Sequence, residues 1–115
     1  MKLLLVGMNH RSAPIEIRER YAIEDPRPAL QKLAASEEIE EIAILSTCNR
    51  VEIVATCVNL DAARHRLLQF LSSDIGKGEG LTQSGEDLED FIYVHTNGEA
   101  VRHLFRVAAS IDSMV

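Results

Sequence analysis

Five consecutive polar residues, Ser46-Thr47-Cys48-Asn49-Arg50, hold the groups in this chain best suited to covalent chemistry. A cysteine attacks carbon only as its thiolate. Free thiols have a pKa of ~8.5, and neighbouring cations lower it. Arg50 stands two residues after Cys48, and a histidine brought in by the fold would supply a second cation. The planar guanidinium fork also suits two-point capture of a carboxylate. A plainer reading stands beside this one: a lone cysteine is commonly a small buried residue, and Thr47 and Asn49 are turn formers. The position between two strands favours chemistry, because loops on rigid scaffolds carry function more often than cores do.

The chain has four histidines. His103, one helical turn from both Ala100 and Val107, is either an acid–base group or a half-buried interfacial side chain. His95 ends a strand, His10 lies near the start, and His65 reads as a solvated helix residue. Cys57 has no cationic neighbour in sequence and reads as structural. Cys48, Cys57 and the histidines lack the close ligand pairs of a zinc site, so no metal is expected. Arg11, Arg18 and Arg20 form the densest basic cluster. Pairing with Glu16 and Glu19 on a helix surface explains them most simply.

These groups must be carried by a small set of elements. Leu3 to Met8 is an apolar run of strand length. Ser12 is the expected N-cap of a helix through Ile15–Tyr21, with Pro14 in its first turn. A second helix is expected from about Pro28 to Ala35, followed by an acidic, surface-like stretch over Glu37 to Glu41. Ile42–Leu45 and Val51–Ala55 read as strands joined by the five-residue connection that carries Cys48. Leu60, Ala63, Leu67, Leu68 and Leu71 mark one face of a helix opening at Asn59. Gly76, Gly78 and Gly80 punctuate a loose connector reaching to Glu86. Phe91–Val94 is a fourth strand. Thr96 and Glu99 then have capping-box form, opening a helix whose expected apolar stripe is Val101, Leu104, Phe105 and Ala108. The order β, α, β, β, α, β, α predicts an α+β, ferredoxin-like sandwich (βαββαβ) with an antiparallel sheet and an extra C-terminal helix.

Composition agrees with one ordinary globular domain over residues 1–115: 46% hydrophobic, 26% charged, no tryptophan. A net charge of −6 argues against a surface that is basic throughout, while leaving room for a local basic patch. Two cysteines make no disulfide framework, so free thiols in the cytoplasm are expected. The apolar start breaks at Asn9-His10-Arg11, short of the ~7–15 residues of a signal core.

Three motifs carry a family resemblance. Val6-Gly7-Met8-Asn9-His10-Arg11-Ser12-Ala13-Pro14 with Ile17-Arg18-Glu19-Arg20 resembles the opening of glutamyl-tRNA reductases. Leu45-Ser46-Thr47-Cys48-Asn49-Arg50-Val51-Glu52 resembles their active-site signature. Ala100-Val101, His103-Leu104-Phe105-Arg106-Val107-Ala108 and Asp112-Ser113-Met114-Val115 resemble the end of their catalytic domain. In that family the cysteine attacks the ester joining glutamate to tRNA. The resulting thioester is reduced by NADPH to glutamate-1-semialdehyde, on the way to 5-aminolevulinate and tetrapyrroles (porphyrins).

The resemblance implies Cys48 as nucleophile, His103 as a residue important for activity, and Thr47, Asn49, Arg50 and Ser113 as substrate-binding positions. It implies glutamyl-tRNA(Glu) as partner, with Arg11, Arg18 and Arg20 available to steer its acceptor end. In the intact enzyme it further implies a homodimer and handover to glutamate-1-semialdehyde aminomutase. The NADPH-binding and dimerisation domains of the family have no counterpart in residues 1–115, because no Gly-x-Gly-x-x-Gly follows a strand. The fragment alone is therefore expected not to perform the reduction. Ser110 replaces a glycine usual in the family. A rival reading from another class is a ferredoxin-like binding or regulatory module with a redox-active thiol, in which oxidation would trap Cys57 in a bridge with Cys48.

Overall fold

The computed structural model describes residues 1–75 and 88–114, the last five as backbone only. Ser113 and the glycine-rich connector around Gly76, Gly78 and Gly80 therefore lie outside the described side chains. Four strands, β1 (Lys2–Asn9), β2 (Glu41–Ser46), β3 (Arg50–Cys57) and β4 (Tyr93–Thr96), form one sheet in the order β2-β3-β1-β4, every neighbouring pair antiparallel. That order, with helices between β1 and β2 and between β3 and β4, is the expected ferredoxin-like arrangement. The first crossover is two helices, α1 (Ile15–Tyr21) and α2 (Pro26–Ala34). The second holds α3 (Leu60–Phe70), which continues into a π-helical turn at Leu71–Ile75, and a short 3-10 turn at Leu88–Asp90. A last helix, α4 (Asn97–Met114), follows β4 directly.

Strand alternation divides the work between two sheet faces. Leu4, Val6 and Met8 of β1 and Val51, Ile53, Ala55 and Cys57 of β3 join Ile17, Tyr21, Ala29, Leu33, Ala63, Leu67 and Phe70 in one apolar core. The side chains of opposite parity, Leu5, Glu52, Tyr93 and His95, point to the other face, which α4 covers by packing on β1 and β4.

Several local expectations are corrected. Pro14, not Ser12, is the N-cap of α1, since Ser12 is occupied in the preceding turn. Helix α2 starts at Pro26, two residues early, because the Asp25 carboxylate caps it by accepting from the Arg27 N–H. Ile39 interrupts the acidic surface stretch and is buried. β4 begins at Tyr93, leaving Phe91 in the turn before it, still packed into the core. Thr96 belongs to β4, and α4 opens instead at Asn97. Asn97 takes a left-handed φ of 51° and its Oδ1 accepts from the Leu3 N–H at 3.0 Å, tying helix start to sheet. Asparagine tolerates that conformation better than most residues.

The largest correction concerns the face that α4 buries. The expected stripe points largely outward: Phe105 is 73% exposed, Val101 is 42% exposed and Ala108 is exposed. Ala100 and Val107 are buried, with His103 on the same face between them. No helix among the described residues is long and apolar enough to cross a membrane.

Candidate active site

A cleft of about 520 Å³ opens where the β1–α1 turn, the start of β3, β4 and α4 meet. The β1–α1 turn is self-bonded. Asn9 Oδ1 accepts from the Arg11 and Ser12 N–H groups at 2.9 and 3.2 Å, and Ser12 Oγ accepts from the Asn9 N–H at 3.0 Å. This side-chain mimic of a backbone turn presents His10 and Arg11 to the cleft. β3 contributes Arg50, β4 contributes Tyr93 and His95, and α4 contributes His103, Arg106 and Val107. Three arginines and three histidines thus gather on one concavity of a protein whose net charge is −6. Such a concavity attracts anions.

The floor is built around one carboxylate. Glu52 is fully buried, and its Oε2 accepts from the Tyr93 hydroxyl at 2.5 Å and is bonded to His103 Nε2. Arg50 Nη1 lies 3.5 Å from the same oxygen. Among the described residues, Oε1 is buried without a hydrogen-bond partner. Glu52 pairs across the sheet with Gly7, which in turn pairs with Tyr93. With no side chain on the middle strand at that row, Glu52 and Tyr93 meet across it. A Cβ on Gly7 would lie 2.7 Å from Glu52 Cγ and 2.8 Å from the Val51 carbonyl oxygen. The Tyr93, His95 and His103 rings pack against one another at tilted angles, with centroids 4.7 to 5.4 Å apart.

Burial, and then the Glu52 carboxylate, push the Tyr93 phenol far above its usual range, so it stays a donor. Burial, then His103, push the His95 imidazole down, favouring its neutral form. With Nε2 bonded to Glu52, His103 has its ring orientation fixed.

Of the residues singled out from sequence, Arg50 and His103 are brought together in this cleft, joined by His10 and His95. Thr47, Cys48 and Asn49 are not in its wall. They form the exposed turn that leads into Arg50. Thr47 Oγ1 accepts from the Asn49 and Arg50 N–H groups, both at 3.2 Å, so this oxygen braces the turn. His65 is exposed on α3. Arg18 departs from the expected helix-surface pairing, because its guanidinium bonds two backbone carbonyls. Glu52 and Tyr93 were assigned no role from the sequence. The signal available was Glu52 in the middle of an apolar strand, opposite a glycine.

Cys57 is buried at the far end of β3, and burial raises its thiol pKa, in line with a structural role. Both cysteines are free. At a rise of ~3.3 Å per residue, Cys57 lies about 23 Å along the strand from Arg50, whereas a disulfide needs Cα atoms within about 7 Å. A redox bridge between Cys48 and Cys57 is therefore incompatible with this fold.

Residues 6–115 match the family model described as glutamyl-tRNA(Glu) reductase, N-terminal domain. Among similar curated proteins, a glutamyl-tRNA reductase from Pelotomaculum thermopropionicum is 42% identical over 100% of this chain and 25% of its own length. Glutamyl-tRNA reductase 2 from Koribacter versatilis is 46% identical over 100% of this chain and 25% of its own length. The solved glutamyl-tRNA reductase from Methanopyrus kandleri superposes with a TM-score of 0.65 at 32% identity, covering 97% of this chain and 23% of that one. The chain spans about a quarter of the length of the curated relatives it matches. On the fold, the hairpin carrying Cys48 and these matches together, the chain belongs to the glutamyl-tRNA reductase N-terminal domain family.

Proposed function

We propose that this domain holds the glutamate-charged end of tRNA(Glu) and performs the acyl-transfer half of a glutamyl-tRNA reductase reaction. The Cys48 thiolate attacks the carbonyl carbon of the ester. The bond from that carbon to the ribose oxygen breaks, and the oxygen leaves with a proton as free tRNA. The glutamyl group stays on sulfur as a thioester. His103, oriented by Glu52, is the candidate donor of that proton. The glutamate side chain, free because the ester uses the other carboxyl group, pairs with the Arg50 fork. A glutaminyl ester is neutral there and gives the Arg50 fork no second anion beside Glu52, a basis for discrimination. Thr47 and Asn49 frame the attacking residue, and Ser113 is a further candidate contact to the substrate.

The observation that carries this reading is the exposed Cys48, two residues from a half-buried arginine that lines a cationic cleft. NADPH, the hydride donor the family implies, does not fit the described residues. The strand-to-helix junction from β4 into α4 offers a single glycine, Gly98, and its Asn97 side chain is already bonded to β1. The thioester formed in this domain is the substrate of a reduction carried out with NADPH bound elsewhere in the whole enzyme, an oxidoreductase.

The test is incubation of the chain with glutamyl-tRNA labelled in glutamate, beside a full-length relative as positive control. Label that stays with the protein in acid, is released by neutral hydroxylamine and is lost in Cys48→Ser is the expected result. An unlabelled chain, where the full-length relative is labelled, refutes the proposal.

A further inference from the structure

The turn that carries Cys48 is strapped to α1 at two points. At its base, the Ile23 N–H, just beyond the end of α1, donates to Ser46 Oγ at 3.0 Å. At its tip, Arg18 Nη1 donates to the Cys48 carbonyl oxygen at 2.6 Å. The same guanidinium is anchored at its other end, where Nε donates to the carbonyl oxygen of the buried Ala13 at 3.1 Å. Inside the turn, the Thr47 N–H donates to the Arg50 oxygen at 2.8 Å and Thr47 Oγ1 accepts from the Asn49 N–H at 3.2 Å, so the Cys48–Asn49 peptide is held on its N–H side by the turn and on its carbonyl side by Arg18. A charge-assisted bond of this length is stronger than a neutral one. It also spans thirty residues of sequence to hold a single peptide group.

We propose that Arg18 is a positioning residue for Cys48: by fixing the Cys48–Asn49 peptide plane, it sets the direction in which the thiol leaves the turn. The inference rests on Cys48 being the nucleophile. Two of the three guanidinium nitrogens are already committed to backbone carbonyls, which disfavours a role in gripping phosphate. Lysine keeps the charge and much of the stem but lacks the fork, so it cannot span Ala13 and Cys48 together.

Single-turnover transfer of labelled glutamate from glutamyl-tRNA to Cys48, measured at saturating and sub-saturating tRNA, tests this in Arg18→Lys and Arg18→Ala. Misplacement of a reacting group by about 1 Å costs on the order of 100-fold. Both variants are expected to slow acylation at saturation by about 10- to 100-fold, with the half-saturating tRNA concentration changed less than about twofold. Added ethylguanidinium is expected to restore part of the rate in Arg18→Ala and none in Arg18→Lys. An unchanged saturating rate overturns the proposal, whether or not thermal stability falls. So does weaker tRNA binding with a shallower salt dependence at unchanged rate, which is the mark of a phosphate contact. If Arg18→Ala does not fold, Arg18→Lys carries the test. Absence of label on the unsubstituted chain sinks the acyl-transfer reading itself, a result separate from any of these.

Discussion

Replacing Gly7 by alanine adds one methyl group at the row where Glu52 and Tyr93 meet, and two effects of opposite sign follow. Removing a glycine from the unfolded chain stabilises by about 0.4–1 kcal/mol where the native backbone tolerates the change. Against it, the new Cβ would stand 2.7 Å from Glu52 Cγ and 2.8 Å from the Val51 carbonyl oxygen. The second contact decides the sign. A side chain can swing aside, but the Val51 carbonyl belongs to β3 and moves only with that strand. Overpacking of this kind costs about 1–3 kcal/mol. With an unfolding entropy of about 2.1 cal/mol/K per residue, a chain of this size loses roughly 4 °C of Tm per kcal/mol. A net fall of up to about 10 °C is therefore expected by calorimetry. Labelling of Cys48 should fall as well, because the displaced carboxylate loses its hold on His103. Gly98→Ala is the control: a Cβ there meets nothing within 4 Å, so it should hold or raise Tm. If Gly7→Ala melts above the original, the account of the sheet row is wrong.

Two further outcomes test the described packing. Both tyrosines of the chain, Tyr21 and Tyr93, have raised phenol pKa values, burial being the leading cause in each. A raised folded value gives stability that is complete below the ordinary phenol pKa of about 10 and is lost as pH climbs beyond it. Absorbance near 295 nm should thus show almost no phenolate while the fold persists, then appear together with loss of secondary structure. Gradual ionisation around pH 10 in the folded protein would contradict the buried Tyr93–Glu52 bond. Phe105→Ser removes a ring that is 73% exposed, so stability by urea titration should stay within about 0.5 kcal/mol of the original. A loss of several kcal/mol would mean that the expected stripe of α4 does face the sheet.

Much of the scaffold was legible from the residues. The span of α1 is the expected one, Asn59 caps α3 through Oδ1 to the Ala62 N–H as its type suggests, and the Cys48 turn sits between two strands. Orientation of α4 was not legible, for a physical reason. That helix carries two stripes at helical spacing, Val101–Leu104–Phe105–Ala108 and Ala100–His103–Val107, and the first is the more hydrophobic. Periodicity identifies a face, but it cannot know that the sheet surface beneath carries Glu52 and Tyr93 and so selects the stripe with the histidine. Glu52 was invisible for a related reason. A glutamate inside a strand is normally solvated, and only pairing with Gly7 and Tyr93 across the sheet reveals a buried one. The residues of the Cys48 turn were recognisable by motif. The division between turn and cleft wall was a property of three dimensions.

Because alternate residues of β1 and β3 serve opposite faces, durability and chemistry are separable along a single strand. Substitutions that fill or tighten the layer containing Ile53 and Leu33 change how long the molecule survives heat without touching the groups around Glu52. Deleting one residue from β3 would do the reverse of both at once, sending a carboxylate into oil and exposing aliphatic surface to the cleft. Insertions and deletions in this strand should accordingly be far rarer among working variants than in the connection after α3.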